Sequence, residues 1–404
     1  MHKPTKYVLA IYGTRDSYQV PLALAEVGLL ERYVTDFYAP SGPLARFLPK
    51  PMRRRRVDGL PRQQTRSLWH PFLVNSAARA LRLPMMRIFA YVGGYLAKAA
   101  LREAEKSQQA LYCYHNYVPD KLPENSCLIV FVYHPLASAD YAVLAADNAN
   151  YPETAESFAR ETYALNEFEQ KLDWDQVTAV VCASSFTAKS VIHDGCDPDK
   201  ITIVPYGLPE VESPVAIQSA EKPIRKDGPA EFLFVGQGVQ RKGLHHLIRA
   251  WQSAPRNGAR LTLVSYQIDS AIASLITDPS IRLLGYQTRE ELDAVFAASD
   301  IFIMPSLVEG FGLVYVEALA QGCHVIGTAN TGLPDLHLDD GAHSLVEPGN
   351  IAALSEIISK TQARAEAGEF DRSAIIKAGH AWTHTHFRQA IAEHAAQVLR
   401  DFNA

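Results

Sequence analysis

IFIMPSLVEGFGLVYVEALAQGCHVIGT, residues 301–328, reads as strand, turn, helix, turn, strand. Ile301-Phe302-Ile303-Met304 is a short apolar run closed by Pro305, the pattern of a strand buried on both faces. Gly310 and Gly312 free the backbone just before Leu313, Val316, Leu319 and Ala320 recur at helical spacing, and Gly322 stands where that helix should stop. Val325-Ile326-Gly327 opens the next strand. Two carboxylates punctuate the unit. Glu309 falls in the turn after a strand, where open α/β sheets bind ligands, and Glu317 falls on the second turn of the helix, near its apolar stripe, where an unpaired charge is costly. The helix start between them offers free N–H groups to a phosphate. An acidic helix start is also favourable by itself, which accounts for Glu309 but not for Glu317.

Working outward, the chain of 404 residues fits two domains of ordinary size, and its 48% hydrophobic and 21% charged residues are those of a globular protein. Five cysteines without paired spacing indicate neither a disulfide framework nor a zinc site. No signal pattern opens the sequence, and the run from Met85 to Leu101 is interrupted by Arg87 and Lys98, so a cytoplasmic protein is expected. The net charge of −5 hides a split: residues 1–120 carry 18 Lys and Arg against 8 Asp and Glu, and the remainder 21 against 36. The basic focus is Arg53-Arg54-Arg55-Arg56, either a solvated loop or a patch for anionic lipid or an acidic substrate. No nucleic-acid-reading signature accompanies it.

Tyr7–Tyr12, a glycine-bearing loop (Gly13, Arg15), a helix over Pro21–Leu30 and a strand at Tyr33–Phe37 form a Rossmann-like unit. Residues 41–70 read as a long surface excursion, and helical pattern runs from about Ser76 to Glu105. Further strands are expected at Ala110–Tyr114, Leu128–Tyr133, Val177–Cys182 and Ile201–Gly207, with a charged helix over 151–172. His134 stands at a strand's carboxyl end, where a structural histidine is the bland reading. A second α/β unit begins at Glu231. Its first loop, Gly236-Gln237-Gly238-Val239-Gln240-Arg241-Lys242-Gly243, matches neither a dinucleotide fingerprint nor a P-loop, but it places Lys242 at a helix start suited to phosphate. Asp173-Trp174-Asp175 and Asp197-Pro198-Asp199 spell a metal-site pattern, yet each precedes a strand and so faces away from the ligand edge.

With these residues set out, the sequence resembles glycosyltransferase family 4, the retaining nucleotide-sugar transferases of GT-B fold. The resemblance rests on residues 305–328 (PSLVEGFGLVYVEALAQGCHVIGT), 232–243 (FLFVGQGVQRKG) and 180–208 (VVCASSFTAKSVIHDG followed by ITIVPYGL). It implies two Rossmann-like domains facing across a cleft: an acceptor-binding domain over 1–208, a linker at 209–230 and a nucleotide-sugar-binding domain over 231–384. A C-terminal helix at about 385–404 would cross back to the first domain. It further implies that Lys242 contacts the donor diphosphate, Glu317 the ribose, and Glu309 the sugar and its phosphate with the backbone of Gly310, Phe311, Gly312 and Leu313. Gly236, Gln237, Arg241 and Tyr286 would line the donor site, Gly13 and Arg15 would face it from the first domain, and His134 would lie near the reacting centre. The expected reaction moves a hexose-type sugar from a UDP- or GDP-sugar, a substrate, to a glycan or lipid-linked acceptor, with no metal and no cofactor. A disaccharide phosphorylase and a non-catalytic nucleotide-sugar-binding subunit are the competing readings. Gln237 departs from the arginine usual at that position, with Arg241 or Arg15 as substitutes, and Tyr206 replaces a usual asparagine.

Overall fold

The computed structural model describes residues 3–42, 46–83, 85–168, 171–210 and 228–404; most of the linker expected at 209–230 lies outside them. Among the described residues two all-parallel sheets carry the fold. The first has β1 (Tyr7–Ala10), β2 (Leu30–Thr35), β3 (Thr65–Ser67), β4 (Ala110–Tyr114), β5 (Leu128–Val132), β6 (Ala179–Cys182) and β7 (Ile201–Ile203), in the order β3-β2-β1-β4-β5-β6-β7. The second has β8 (Glu231–Val235), β9 (Arg260–Val264), β10 (Ile281–Leu284), β11 (Ile301–Ile303), β12 (His324–Thr328) and β13 (His343–Val346), in the order β10-β9-β8-β11-β12-β13. Strands buried on both faces have no polar alternation, which is why the central ones read as continuous apolar runs. In each sheet the order reverses once, between β1 and β4 and between β8 and β11, and such switch points open a crevice at the strands' carboxyl ends.

This is the GT-B architecture expected from the sequence. The last helix, His384–Asn403, begins at a Thr383 cap and lies on helix Gln19–Glu26 of the first half. Arg388 reaches Gln19 at 2.7 Å and Glu26 at 3.0 Å, and the Tyr7 hydroxyl donates to Ala395 O at 2.8 Å. The chain leaves the first sheet and returns to it side by side: Leu208 N–H donates to Trp382 O at 2.9 Å, and His384 N–H to Leu208 O at 2.7 Å. Behind β8, helix Leu244–Ser253 buries Leu247, Ile248 and Trp251, whose truncation to alanine would cost about 3–5 kcal/mol.

Several local expectations are corrected. The first helix is Gln19–Glu26 rather than 21–30, because the chain turns at Gly28 (φ +74°) and β2 already starts at Leu30. The excursion over 41–70 contains β3, a polar Thr-Arg-Ser strand at the sheet edge whose pattern carries no apolar signal. The helical stretch is two elements, Trp69–Ala80 and Met85–Ser107. Helix Ala137–Asn150 and β13 had no counterpart in the sequence reading. The five cysteines are buried and free.

Candidate functional site

The second sheet's switch point joins the loop after β8 to the loop after β11. Their backbones are tied directly, Leu307 N–H donating to Arg241 O at 2.8 Å. This brings Lys242 and Arg241 onto one carboxylate. Lys242 Nζ pairs with Glu309 Oε2, and Arg241 lies with Nη1 3.1 Å from the same oxygen and with Nε 3.7 Å from Glu161. The Lys242 and Glu309 side chains are only 13% and 14% exposed, so the pair sits in a low-dielectric setting where neither charge survives alone. Burial acts to raise the Glu309 pKa, but Lys242, Arg241 and His134 bring it down to about 2. Burial lowers the Lys242 pKa, with Glu309 opposing. Both cations expected to meet a diphosphate are thus held in register by Glu309.

Helix Leu313–Ala320 starts at Gly312, whose φ of +87° only glycine adopts cheaply, and its first N–H groups open beside Glu309. Phe311 is buried, edge-on to Tyr206 at 5.8 Å, while Leu313 is partly exposed. Glu317 lies off the buried stripe of Tyr315, Val316, Ala318 and Leu319, 21% exposed, and meets Arg289 at 2.6 Å. Arg289 opens a helix secured by a Thr288–Glu291 capping box, and no motif announced it. Gly236 donates its N–H to Val264 O at 3.1 Å, and Gln237 bonds the Tyr266 hydroxyl at 2.8 Å. Tyr286 is not brought to this group: it follows β10, two strands out from β8, and is 78% exposed.

The first half faces these charges with His134, two residues past β5. Gly310 lies so close to the Tyr133 carbonyl that any Cβ would sit inside the oxygen's van der Waals shell, so the halves meet backbone to backbone beside Glu309. His134 Nδ1 is 3.2 Å from Asp140 Oδ2 and 3.2 Å from Pro135 O. Burial works against its charged form, but the Asp140 hydrogen bond and the Asp140 and Glu309 charges raise its pKa overall. Burial dominates at Asp140 and raises its pKa too.

At the first sheet's switch point, Gly13 N–H donates to the buried Asp36 at 3.0 Å, and Arg15 stacks on the Tyr133 ring at 4.0 Å. Asp16, Ser17 and Tyr18 all hold positive φ (51°, 50° and 65°), a strained run that turns Asp16 onto the Tyr114 hydroxyl. Tyr206, in place of asparagine, stacks on Phe387 of the last helix at 5.0 Å. Both Asp-x-Asp patterns serve as caps away from the Lys242–Glu309 group: Asp173 and Asp197 cap short turns through Asp175 N–H (3.2 Å) and Asp199 N–H (3.0 Å). Arg55, counted in the sequence as one of four equivalent arginines, turns inward onto Asp36 at 2.5 Å, leaving Arg53, Arg54 and Arg56 exposed.

Residues 217–378 match the family described as glycosyl transferases group 1. The chain is 28% identical over 287 residues to D-inositol 3-phosphate glycosyltransferase of Mycolicibacterium smegmatis, covering 68% of this chain and 63% of that protein. It is 26% identical over 250 residues to the amylovoran biosynthesis glycosyltransferase AmsK of Erwinia amylovora, covering 57% and 59%. The matches thus span about three-fifths of the length of these curated relatives. Among solved structures, Thermosynechococcus elongatus sucrose-phosphate synthase superposes with a TM-score of 0.58 at 18% identity, covering 99% of both chains. Anabaena HepE, in complex with UDP and glucose, superposes at 0.54 and 16%, covering 98% of this chain and 100% of that one. The structural matches carry the fold alone. The chain thus has a GT-B fold, and its second half, with the loops at the second switch point, is similar to the group 1 glycosyl transferases.

Proposed function

We propose that the protein transfers a hexose-type sugar, with retention and without a metal, from a nucleoside-diphosphate sugar to a glycan or lipid-linked acceptor. The observation that carries this reading is the meeting of Lys242, Arg241 and Glu309 opposite His134, at the crevice where one half touches the other. In this reading the donor diphosphate lies against Lys242, Arg241 and the N-terminus of helix Leu313–Ala320, which together stabilise the leaving phosphate. Glu317, steadied by Arg289, holds the ribose hydroxyls. The bond from the anomeric carbon to phosphate oxygen breaks as the acceptor oxygen bonds that carbon on the same face. The acceptor's proton passes to the departing phosphate, giving glycoside and nucleoside diphosphate. Glu309 stays ionised and stabilises positive charge on the sugar ring. His134, positioned by Asp140, faces the same carbon.

HepE's complex with UDP and glucose supports a UDP-type donor, and the naming of AmsK for amylovoran biosynthesis supports a polysaccharide or related acceptor. Peripheral contact with an anionic membrane, at the inner face of the cell, belongs to the same proposal. Arg53, Arg54 and Arg56 are exposed, and Trp69, Leu73, Tyr91 and Tyr95 show large apolar areas on two neighbouring helices. Among the described residues, no helix is long and apolar enough to cross a membrane.

The test is a thermal-shift screen of UDP- and GDP-sugars followed by assay of their slow hydrolysis. Stabilisation and turnover by one of them are expected. Sugar release that depends on inorganic phosphate, with no nucleotide-sugar turnover, would favour the phosphorylase; binding without any turnover would favour the non-catalytic subunit.

A further inference from the structure

Helix Ala137–Asn150, absent from the sequence reading, runs from the histidine to the back of the donor loop. Its buried positions, Ala137, Asp140, Leu144 and Asp147, fall at helical spacing, so two carboxylates two turns apart share one face. At one end Asp140 meets His134. In the middle Leu144 packs with Leu307 and Val308, the residues just before Glu309. At the other end Asp147 is met by His246 Nε2 at 2.5 Å, His245 Nε2 at 3.1 Å and Gln240 Nε2 at 2.8 Å. Gln240 also donates to Leu144 O at 2.8 Å, and it directly precedes Arg241 and Lys242. All four side chains at this end are buried.

The same three side chains, Asp147, His245 and His246, could offer ligand atoms to a metal ion. Their surroundings favour a different use. A metal on both Nε2 atoms would force the ring protons onto Nδ1, and both Nδ1 atoms are buried with no hydrogen-bond partner. Metal-bound imidazoles normally donate that N–H to an acceptor. A neutral ring donating from Nε2 leaves only a lone pair at Nδ1, the cheaper group to bury. Tyr151 packs edge-on to both rings, at 5.5 and 4.7 Å. Burial lowers the His245 pKa; at Asp147 burial acts the other way, but bonds from both histidines hold it well below the usual carboxylate range.

We propose that Asp147 is a positioning residue: through Gln240, His245 and His246 it fixes the donor loop to the helix that also holds His134. The inference rests on the transfer reading for its catalytic consequence, while its mechanical claim stands alone. One helix then sets the spacing between the cations on the donor and the histidine across the cleft.

The experiment compares Asp147→Ala and Asp147→Asn with Arg249→Gln, which breaks the neighbouring Arg249–Glu153 ion pair of the same interface. Hydrogen exchange without ligand should quicken in peptides covering 238–247 and 134–141 for the Asp147 variants and stay unchanged for Arg249→Gln. By titration calorimetry with UDP and GDP, Asp147→Ala should weaken binding about tenfold, the scale of one hydrogen bond to a charged group. Asp147→Asn, which keeps an acceptor, should recover part of it and carries the same comparison should the alanine variant not fold. Asp147→Ala combined with Lys242→Ala should bind no more weakly than Lys242→Ala alone, since both act through one loop. Unchanged exchange, full additivity, or one divalent metal per chain in the purified protein would each overturn the proposal. Wild-type protein that binds neither UDP nor GDP would instead overturn the functional reading, and the exchange data would still decide the positioning claim.

Discussion

The two switch points are built from different materials. After β8 and β11 the crevice is ionic: Lys242, Arg241 and Glu309 are interlocked, and each is buried enough that its partner is obligatory. After β1 and β4 the crevice is largely aromatic: Tyr114 and Tyr117 stand around Arg15, which leans on Tyr133. In the transfer reading the diphosphate is common to UDP- and GDP-sugars, and its recognition needs fixed charges at fixed spacing. Acceptors differ in the same reading, and an aromatic wall can be reshaped around the few charges that it holds, Arg15 on Tyr133 and Asp16 on the Tyr114 hydroxyl.

The largest effect that tests this contrast is Lys242→Ala. It should reduce kcat/KM for the donor by about 2–4 kcal/mol of transition-state stabilisation, measured by steady-state kinetics, because its charge matters most as the phosphate leaves. Wild-type kinetics would dissolve the ionic side of the comparison.

Acid should separate the halves next. In the second half His324 is buried between Gly341 O (2.9 Å) and the Ser344 hydroxyl (2.9 Å) and stacked on Phe370, and burial brings its pKa down to about 4. A depressed histidine pKa means that stability is intact above the unfolded value near 6.5 and falls as pH drops toward 4, by about 3 kcal/mol in all. The tyrosines of the first crevice shift the other way, raised by burial, and stay neutral over this range. Urea unfolding from pH 7 to 4 should therefore show an acid loss that His324→Gln reduces; equal slopes in the two proteins would refute it.

Within the ionic crevice, Glu309→Gln and Glu317→Gln should part ways. Glu309 meets charge that develops in the reaction, so its loss should appear mainly in kcat, by about 1.5–3 kcal/mol. Because Glu309 competes with diphosphate for Lys242 and Arg241, the same variant should bind the nucleoside diphosphate product more tightly. Glu317→Gln should raise the donor KM by about tenfold with kcat little changed. The reverse pattern would exchange the two roles.

The smallest effect belongs to the basic surface. Anionic liposomes should sediment the protein at low salt, with about 1 kcal/mol lost for each of Arg53, Arg54 and Arg56 changed to serine. Arg55 must be left in place, because its removal would strand the buried Asp36 and confuse folding with binding. Equal sedimentation with neutral vesicles would sink the membrane contact.

This contrast also explains what could be read in advance. Glu309, Lys242 and the glycines between strand and helix obey local rules of backbone and charge, so their spacing is written within a few residues. The groups that steady them are distant in sequence: Arg289 reaches Glu317 across 28 positions, and Asp147 reaches His246 across 99. Asp140 and Asp147 sit in a helix where alanines and tyrosines blur the apolar period, so neither the element nor its stripe announced itself. β3 went unseen because an edge strand need not be apolar. Four arginines in a row look alike on paper, and only folding around Asp36 distinguishes Arg55.

The stitched crossing of Leu208 and Trp382–His384 has a mechanical consequence. Two bodies joined by separate tethers can slide, twist and part. Two bodies whose outgoing and returning strands are bonded to each other share one pin, which removes sliding and leaves rotation as the soft motion. A rotation about that pin would carry His134 along a single arc over Glu309, limited by the Asp147 and Gly310 contacts that join the same halves.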